Sequence, residues 1–195
     1  MSNKNRNIII KFESYNKQTV GQITKINGLM KAKYLISVIN NLNLDANPRS
    51  SRTGSVTNAI QDSIENDPKL FPMKTKGILL ASSNYENLER NRIKLIPQDL
   101  RIEGILDGGH NTLAIGLYIL KKAMSFKDKS LSNKSKTWED FKILWDNNMD
   151  IINEYLYELK NEPNNSDLDF LIPIELLVPR DMNDESCINS FNNDL

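Results

Sequence analysis

The sequence predicts an α+β fold, a mixed sheet with helices packed against it. Three observations lead there. Short β-branched runs cluster between residues 76 and 106. Longer segments carry apolar residues at helical spacing. Strands and helices interleave without the regular alternation that marks an all-parallel sheet. The 195 residues suffice for one domain with a real core.

Ile8-Ile9-Ile10-Lys11-Phe12 reads as a strand. Gln22 to Lys31 reads as a second, with Gly28 marking a turn or bulge. Tyr34, Leu35, Val38 and Ile39 have helical spacing. "NLDANPRSSRT", Asn43 to Thr53, is a polar loop in which Pro48 favours extended backbone before it. A helix follows from about Ser55, the expected N-cap, with Val56, Ala59, Ile60 and Ile64 on one face. Pro68 and Pro72 end it.

Gly77 to Ala81, Ile93 to Ile96 and Ile102 to Leu106 read as three further strands. Thr112 to Met124 is apolar almost all round, as a helix buried on most sides must be. Lys121 to Lys136 is basic and polar. The expected organisation is a core over 1–125, a basic linker over 126–136, and a helix and strand over 137–195 that complete the same domain. Trp138, Phe141, Trp145, Ile152, Tyr155 and Leu159 predict one long amphipathic helix over 137–160. Phe170 to Val178 reads as a strand, and Pro173 within it predicts an edge position or a bulge. "ESCINSFNNDL" stops in a polar stretch, so a fragment of a longer protein is expected.

Charge restricts the function classes. Lys+Arg and Asp+Glu are both 25, so nothing global points to nucleic acid or a membrane surface. "MSNKNRN" has no apolar segment behind it, and the longest apolar run falls far short of a membrane span. The expectation is a soluble, cytoplasmic chain. A single cysteine, Cys187, rules out an internal disulfide framework and a cysteine-rich zinc site; it reads as structural.

The candidate chemistry lies where an apolar segment runs into Asp107-Gly108-Gly109-His110-Asn111-Thr112 and a helix begins at once. Glycines permit close backbone approach. A helix start offers free N–H groups and a partial positive charge, which suit a phosphate. His110, the only histidine, and Asn111 and Thr112 would add donors. Asp107 could orient His110, accept from a ribose hydroxyl or help hold a metal. The plainer reading is a structural strand-to-helix turn. A nucleophile–histidine triad has no support, since no serine sits in a nucleophile-elbow pattern.

The second candidate is the loop before the first long helix, where Asn47, Arg49 and Arg52 cluster. Arginine forks suit phosphate or carboxylate. Lys74 and Lys76 read as solvated charges at a strand end, and the lysines of the basic linker as solvated or as contacts to nucleic acid.

Taken in order, "NPRSSRTGSVTNAIQDSIENDPKLFPMKTKGILLAS" and "IEGILDGGHNTLAI" resemble the AIPR family, the abortive-infection phage-resistance proteins of bacteria, and the related DGQHR-domain group that includes the DndB-like proteins. The resemblance rests on Asn47, Arg49, Pro68, Phe71, Gly77, Ile78, Asp107, Gly108, Gly109, His110 and Thr112 and covers about 40–120. It implies a ParB/sulfiredoxin-like core and a role in phage defence or DNA-linked regulation. Where the DGQHR pattern has an arginine after histidine, this chain has Asn111.

Three functions follow as expectations. The first is a module binding nucleic acid or nucleotide phosphate through Gly108, Gly109, Asn111 and Thr112, with Asn47, Arg49 and Arg52 from the loop. The second is a nucleotide hydrolase or nuclease with Asp107 and His110 as catalytic groups, and Glu103 on the same strand face as Asp107. The third is a non-catalytic DNA-binding regulator or protein-interaction module. No residue pattern fixes a cofactor; the one these residues would fit is a nucleoside triphosphate with magnesium.

Overall fold

The computed structural model describes residues 8–47, 50–131, 135–162, 165–182 and 187. Seven strands form one mixed sheet in the order β4-β5-β1-β2-β7-β3-β6. They are β1 (Ile8–Val20), β2 (Ile23–Lys31), β3 (Ile78–Ala81), β4 (Tyr85–Leu88), β5 (Arg92–Leu95), β6 (Gly104–Asp107) and β7 (Leu171–Pro179). Every neighbouring pair is antiparallel except β3 with β7. The α+β expectation holds.

β1 is longer than its apolar run, because it serves two neighbours. Ile8 to Lys11 pair with β5, and Phe12 to Val20 pair with β2. The register shifts between Phe12 and Ser14, where β2 brings Gly28 and Leu29 alongside, so the irregularity lies in β1 rather than at Gly28. β4 carries no strand signal in the sequence, because Tyr85-Glu86-Asn87-Leu88 has too few apolar residues.

Alternation places Ile26 and Met30 of β2, Ile172, Ile174, Leu176 and Val178 of β7, and Ile78 and Leu80 of β3 in the core. The helices pack into the same cluster: α1 (Leu35–Asn41, after a 3-10 turn), α2 (Ser55–Asn66), the short α3 (Phe71–Lys74), α4 (Gly109–Phe126), α5 (Trp138–Asp146) and α6 (Met149–Asn161). α4 is the buried hub, with Leu113, Ala114, Ile115, Ile119 and Leu120 fully enclosed. It meets α1, α2, α5, α6 and β3, which is why it is apolar on nearly every side. A smaller cluster of Ala81, Leu106 and Cys187 is separate, and the Cys187 thiol donates to the Gln22 carbonyl at 3.2 Å.

Four readings of the sequence need correction. The strand with Pro173 is not an edge: β7 lies between β2 and β3. Its ladder with β3 begins only at Ile78–Ile174, and the Pro173 carbonyl faces Gly77, just before β3 starts. The nitrogen of a strand residue points the same way as its carbonyl, so the missing N–H faces a place with no partner strand. The single helix over 137–160 is two helices, α5 and α6. Asn148 donates its side-chain amide to the Leu144 carbonyl at 2.7 Å, and this local bond competes with continued helix. The apolar spacing survives the break, which is why the period alone joined them. The N-cap of α2 is Gly54 rather than Ser55, with the Thr57 hydroxyl accepting from the Gly54 N–H at 2.8 Å. Finally, Lys121 to Phe126, read at the start of the basic stretch, are the last turns of α4, while 132–134 lie outside the described residues.

Trp145 docks α5. It is fully buried, and its indole N–H donates to Asn40 Oδ1 at 2.7 Å. Trp145→Ala should lower the unfolding free energy by about 3–5 kcal/mol in urea titration. A loss under about 1 kcal/mol, the size of an ordinary surface change, would show that α5 is not part of the core.

Candidate functional site

The site is built from the end of β6. Because β3 and β6 run antiparallel, with Leu79 opposite Asp107, the exit of β6 lies beside the entry of β3. There the chain turns directly into α4. Gly108 is the N-cap residue, with φ +83°, a left-handed conformation costly for other residues. It also leaves no room: a Cβ would run into the carbonyl oxygen of Gly77. Asn111 locks the approach by donating its side-chain amide to that same oxygen at 2.7 Å. Gly109 faces the other way. A Cβ there would strike Ser51 Oγ and would lie 3.0 Å from Asn47 Nδ2.

Both glycines therefore have packing reasons to be glycine, and the packing itself brings the two sequence candidates together. The polar loop lies on the first turn of α4. The loop is held in turn by the segment before α5. Thr53 donates its hydroxyl to the Ser135 carbonyl at 2.7 Å and its N–H to the Lys136 carbonyl at 3.0 Å, and Arg52 bridges to Thr137.

A cleft of about 990 Å3 opens at this junction. Asp107, Gly108, Gly109, His110 and Asn111 form one wall, and Asn47 and Ser51 of the loop another. Val56, Ala59 and Ile60 of α2, with Phe71, give an apolar flank, and Ser63 lines the cleft beside them. Lys74, Thr75 and Lys76 close the far side, and Glu175 lies at the margin. Lys74 is paired with Asp67 at 3.0 Å and Glu175 with Lys25 at 2.5 Å. Lys76 is exposed and forms no ion pair among the described residues. Ser51 is 3 % exposed, and its hydroxyl makes no hydrogen bond among the described residues. Ser63 Oγ is closed from solvent and also lacks a partner among the described residues.

The residues expected to act divide into groups. Asn47, Asp107, Gly108, Gly109, His110 and Asn111 share the cleft. Arg52 does not; it lies on the other side of the loop. Arg49 lies outside the described residues. Thr112 is fully buried, and its hydroxyl is spent on the Gly108 carbonyl at 3.0 Å, so it is not a phosphate ligand. Asn111 uses its amide N–H on Gly77, so its side chain acts first as a clamp. Asp107 Oδ1 accepts from the Gly108 N–H at 2.7 Å.

Glu103 does not join Asp107 on a strand face. It precedes β6, is 1 % exposed, and accepts from the backbone N–H groups of Ser83 (2.6 Å), Gln98 (3.0 Å) and Asp99 (2.9 Å). Among the described residues no group of three or more His, Cys, Asp and Glu side chains is placed to hold a metal ion. No helix among them is long and apolar enough to cross a membrane.

Sequence reasoning missed Ser51 and the cleft position of Lys76. Nothing in the sequence marks Ser51 above Ser50, because its place depends on the loop folding over Gly109. Comparison with known proteins finds no matching family model, no matching curated protein and no matching solved structure.

The clamp can be tested alone. Asn111→Ala orphans the Gly77 carbonyl and should cost about 1–3 kcal/mol of stability, read as a lower melting temperature without ligand. An unchanged melting temperature would show that the amide is not holding the turn.

Proposed function

We propose that the chain is a phosphate-binding module for nucleic acid or nucleotides, seating a phosphate against the backbone at the start of α4. One observation carries the reading: the polar loop and the Gly-Gly-His turn, 55 or more residues apart in sequence, line one cleft. The N–H groups of the first helical turn have no intrahelical acceptor, and the helix dipole favours an anion beside them. Among the described residues Ser51 adds a hydroxyl without a protein partner and Lys76 an unpaired charge, and His110 adds a ring that lines the same cleft. Val56, Ala59 and Ile60 offer an apolar flank of the kind a base or sugar packs against.

The finer assignments belong to the same proposal. A ParB/sulfiredoxin-like core and a setting in bacterial anti-phage defence come from the motif resemblance alone. A hydrolase or nuclease reading keeps Asp107 and His110 in the cleft but has no clear second carboxylate: Glu103, which strand alternation would have set on one face with Asp107, is committed elsewhere. The phosphate-binding reading needs no such group and is favoured.

Thermal shift against nucleoside triphosphates, with and without magnesium, and against short single- and double-stranded DNA tests it. A ligand at one hundred times its Kd should add about 2.7 kcal/mol to stability. His110→Ala and Lys76→Ala, both at the cleft surface, should fold normally and reduce that shift. No shift with any of these ligands would overturn the reading.

A further inference from the structure

We propose that the ligand is a single-stranded nucleic acid running through two adjoining clefts, rather than a free nucleotide held in one. The inference rests on the phosphate-site reading above and extends it. A second cleft, of about 530 Å3, lies on the other side of the polar loop. Asn47 and Ser51 line both clefts, so the two meet at the residues that cover Gly109. A binding pocket for one small molecule spans about 300–1,000 Å3. The first cleft reaches the top of that range by itself. A mononucleotide would leave the second unused.

The lining of the second cleft combines an open cation with apolar faces, the two kinds of group a nucleic-acid strand needs. Arg52 is exposed, forms no ion pair among the described residues, and has its backbone pinned to Thr137. Lys142 also lines this cleft, but its Nζ is committed to the Ile39 carbonyl at 2.7 Å and to an ion pair with Asp146 at 3.4 Å, so Arg52 is the cation open to a phosphate. Apolar residues share the lining: Leu44, Trp138 and Ile143, the last 65 % exposed on a helix. A base needs such a face and a phosphate such a cation. Trp138 is 4 % exposed, and its Nε1–H, closed from solvent, has no hydrogen-bond partner among the described residues.

The acids decide between strand and duplex. Asp45 and Glu139 also line the second cleft, as Asp107 lines the first. A duplex carries one charge per about 1.7 Å of axis, twice the density of one strand, and meets that interspersed acid with greater repulsion. A single strand threads its phosphates past the cations and turns its bases to the apolar faces.

Fluorescence anisotropy on the full chain, with labelled single strands of two to twelve nucleotides and a twelve-base-pair duplex, tests this beside thermal shift with the mononucleotide. Affinity should rise about tenfold or more from mononucleotide to tetranucleotide, the scale of one added base stack. Arg52→Ala and Ile143→Ala should remove that rise and leave the mononucleotide shift intact. Arg52→Ala should also flatten the log–log salt slope by about 0.7, one phosphate of a single strand. Equal affinity for mononucleotide and strand, with Arg52→Ala silent, would overturn this inference and leave the phosphate site standing. A duplex bound more tightly than the single strand would overturn it as well. Loss of all binding, mononucleotide included, would remove both readings.

Discussion

The molecule is organised by a close approach of two backbones, Gly108 resting on the carbonyl of Gly77. That contact sets the exit of β6 against the entry of β3 and aims α4 into the core. α4 then has to be apolar on nearly every side, because helices pack around it and the sheet lies beneath it. Asn111 holds the approach with a bond to the same carbonyl. The polarity at the start of an otherwise apolar helix is therefore first a structural device. Gly77 lies just before β3, outside the ladders with β6 and β7, and the Asn111 amide in the first turn of α4 satisfies its carbonyl.

This constraint also makes the cleft. A strand that turns at once into a helix has no connecting loop of its own to cover the first-turn N–H groups. Gly109, free of a side chain, lets the distant polar loop lie on that turn with Ser51 and Asn47 in contact. The same two glycines that packing requires thus bring together groups from three parts of the chain. Structural and binding roles are not alternatives here. On the proposed reading, tight packing serves binding, because it holds the donors of the turn in place before any ligand arrives.

Much of the fold was legible because burial and period coincide in it. β2, β3, β5, β7 and α4 are short runs or apolar stretches whose pattern follows directly from what they cover. The failures share one cause, a neighbour that local sequence does not name. Pro173 is tolerated in a central strand only because β3 starts one residue too late to need its N–H. β4 pairs through its backbone while its side chains stay largely exposed. The break between α5 and α6 depends on one asparagine amide turning back to Leu144. In the site, the Gly-Gly-His turn and Asn47 were legible as residue types. That Arg52 faces a different cleft from His110, and that Ser51 sits on Gly109, follows from where the loop is tied to residues 135–137, a contact more than 80 residues distant.

Charge explains why such a site escapes notice in composition. Acids and bases balance over the whole chain, and the clefts repeat that balance on a small scale. Lys74 and Glu175, at the edges of the first cleft, are each neutralised by a neighbour, which leaves Lys76 and Asp107 as its opposed charges. A surface of this kind attracts little from a distance, since screening erases a field built from alternating signs. Recognition then falls to short-range terms: oriented N–H groups, a buried hydroxyl and apolar faces a few ångströms apart. Such terms reward a ligand that fits and give little to one that is merely anionic. If the cleft seats a phosphate as proposed, its near-neutral lining with ordered donors favours selectivity among phosphate-bearing ligands over affinity for all of them.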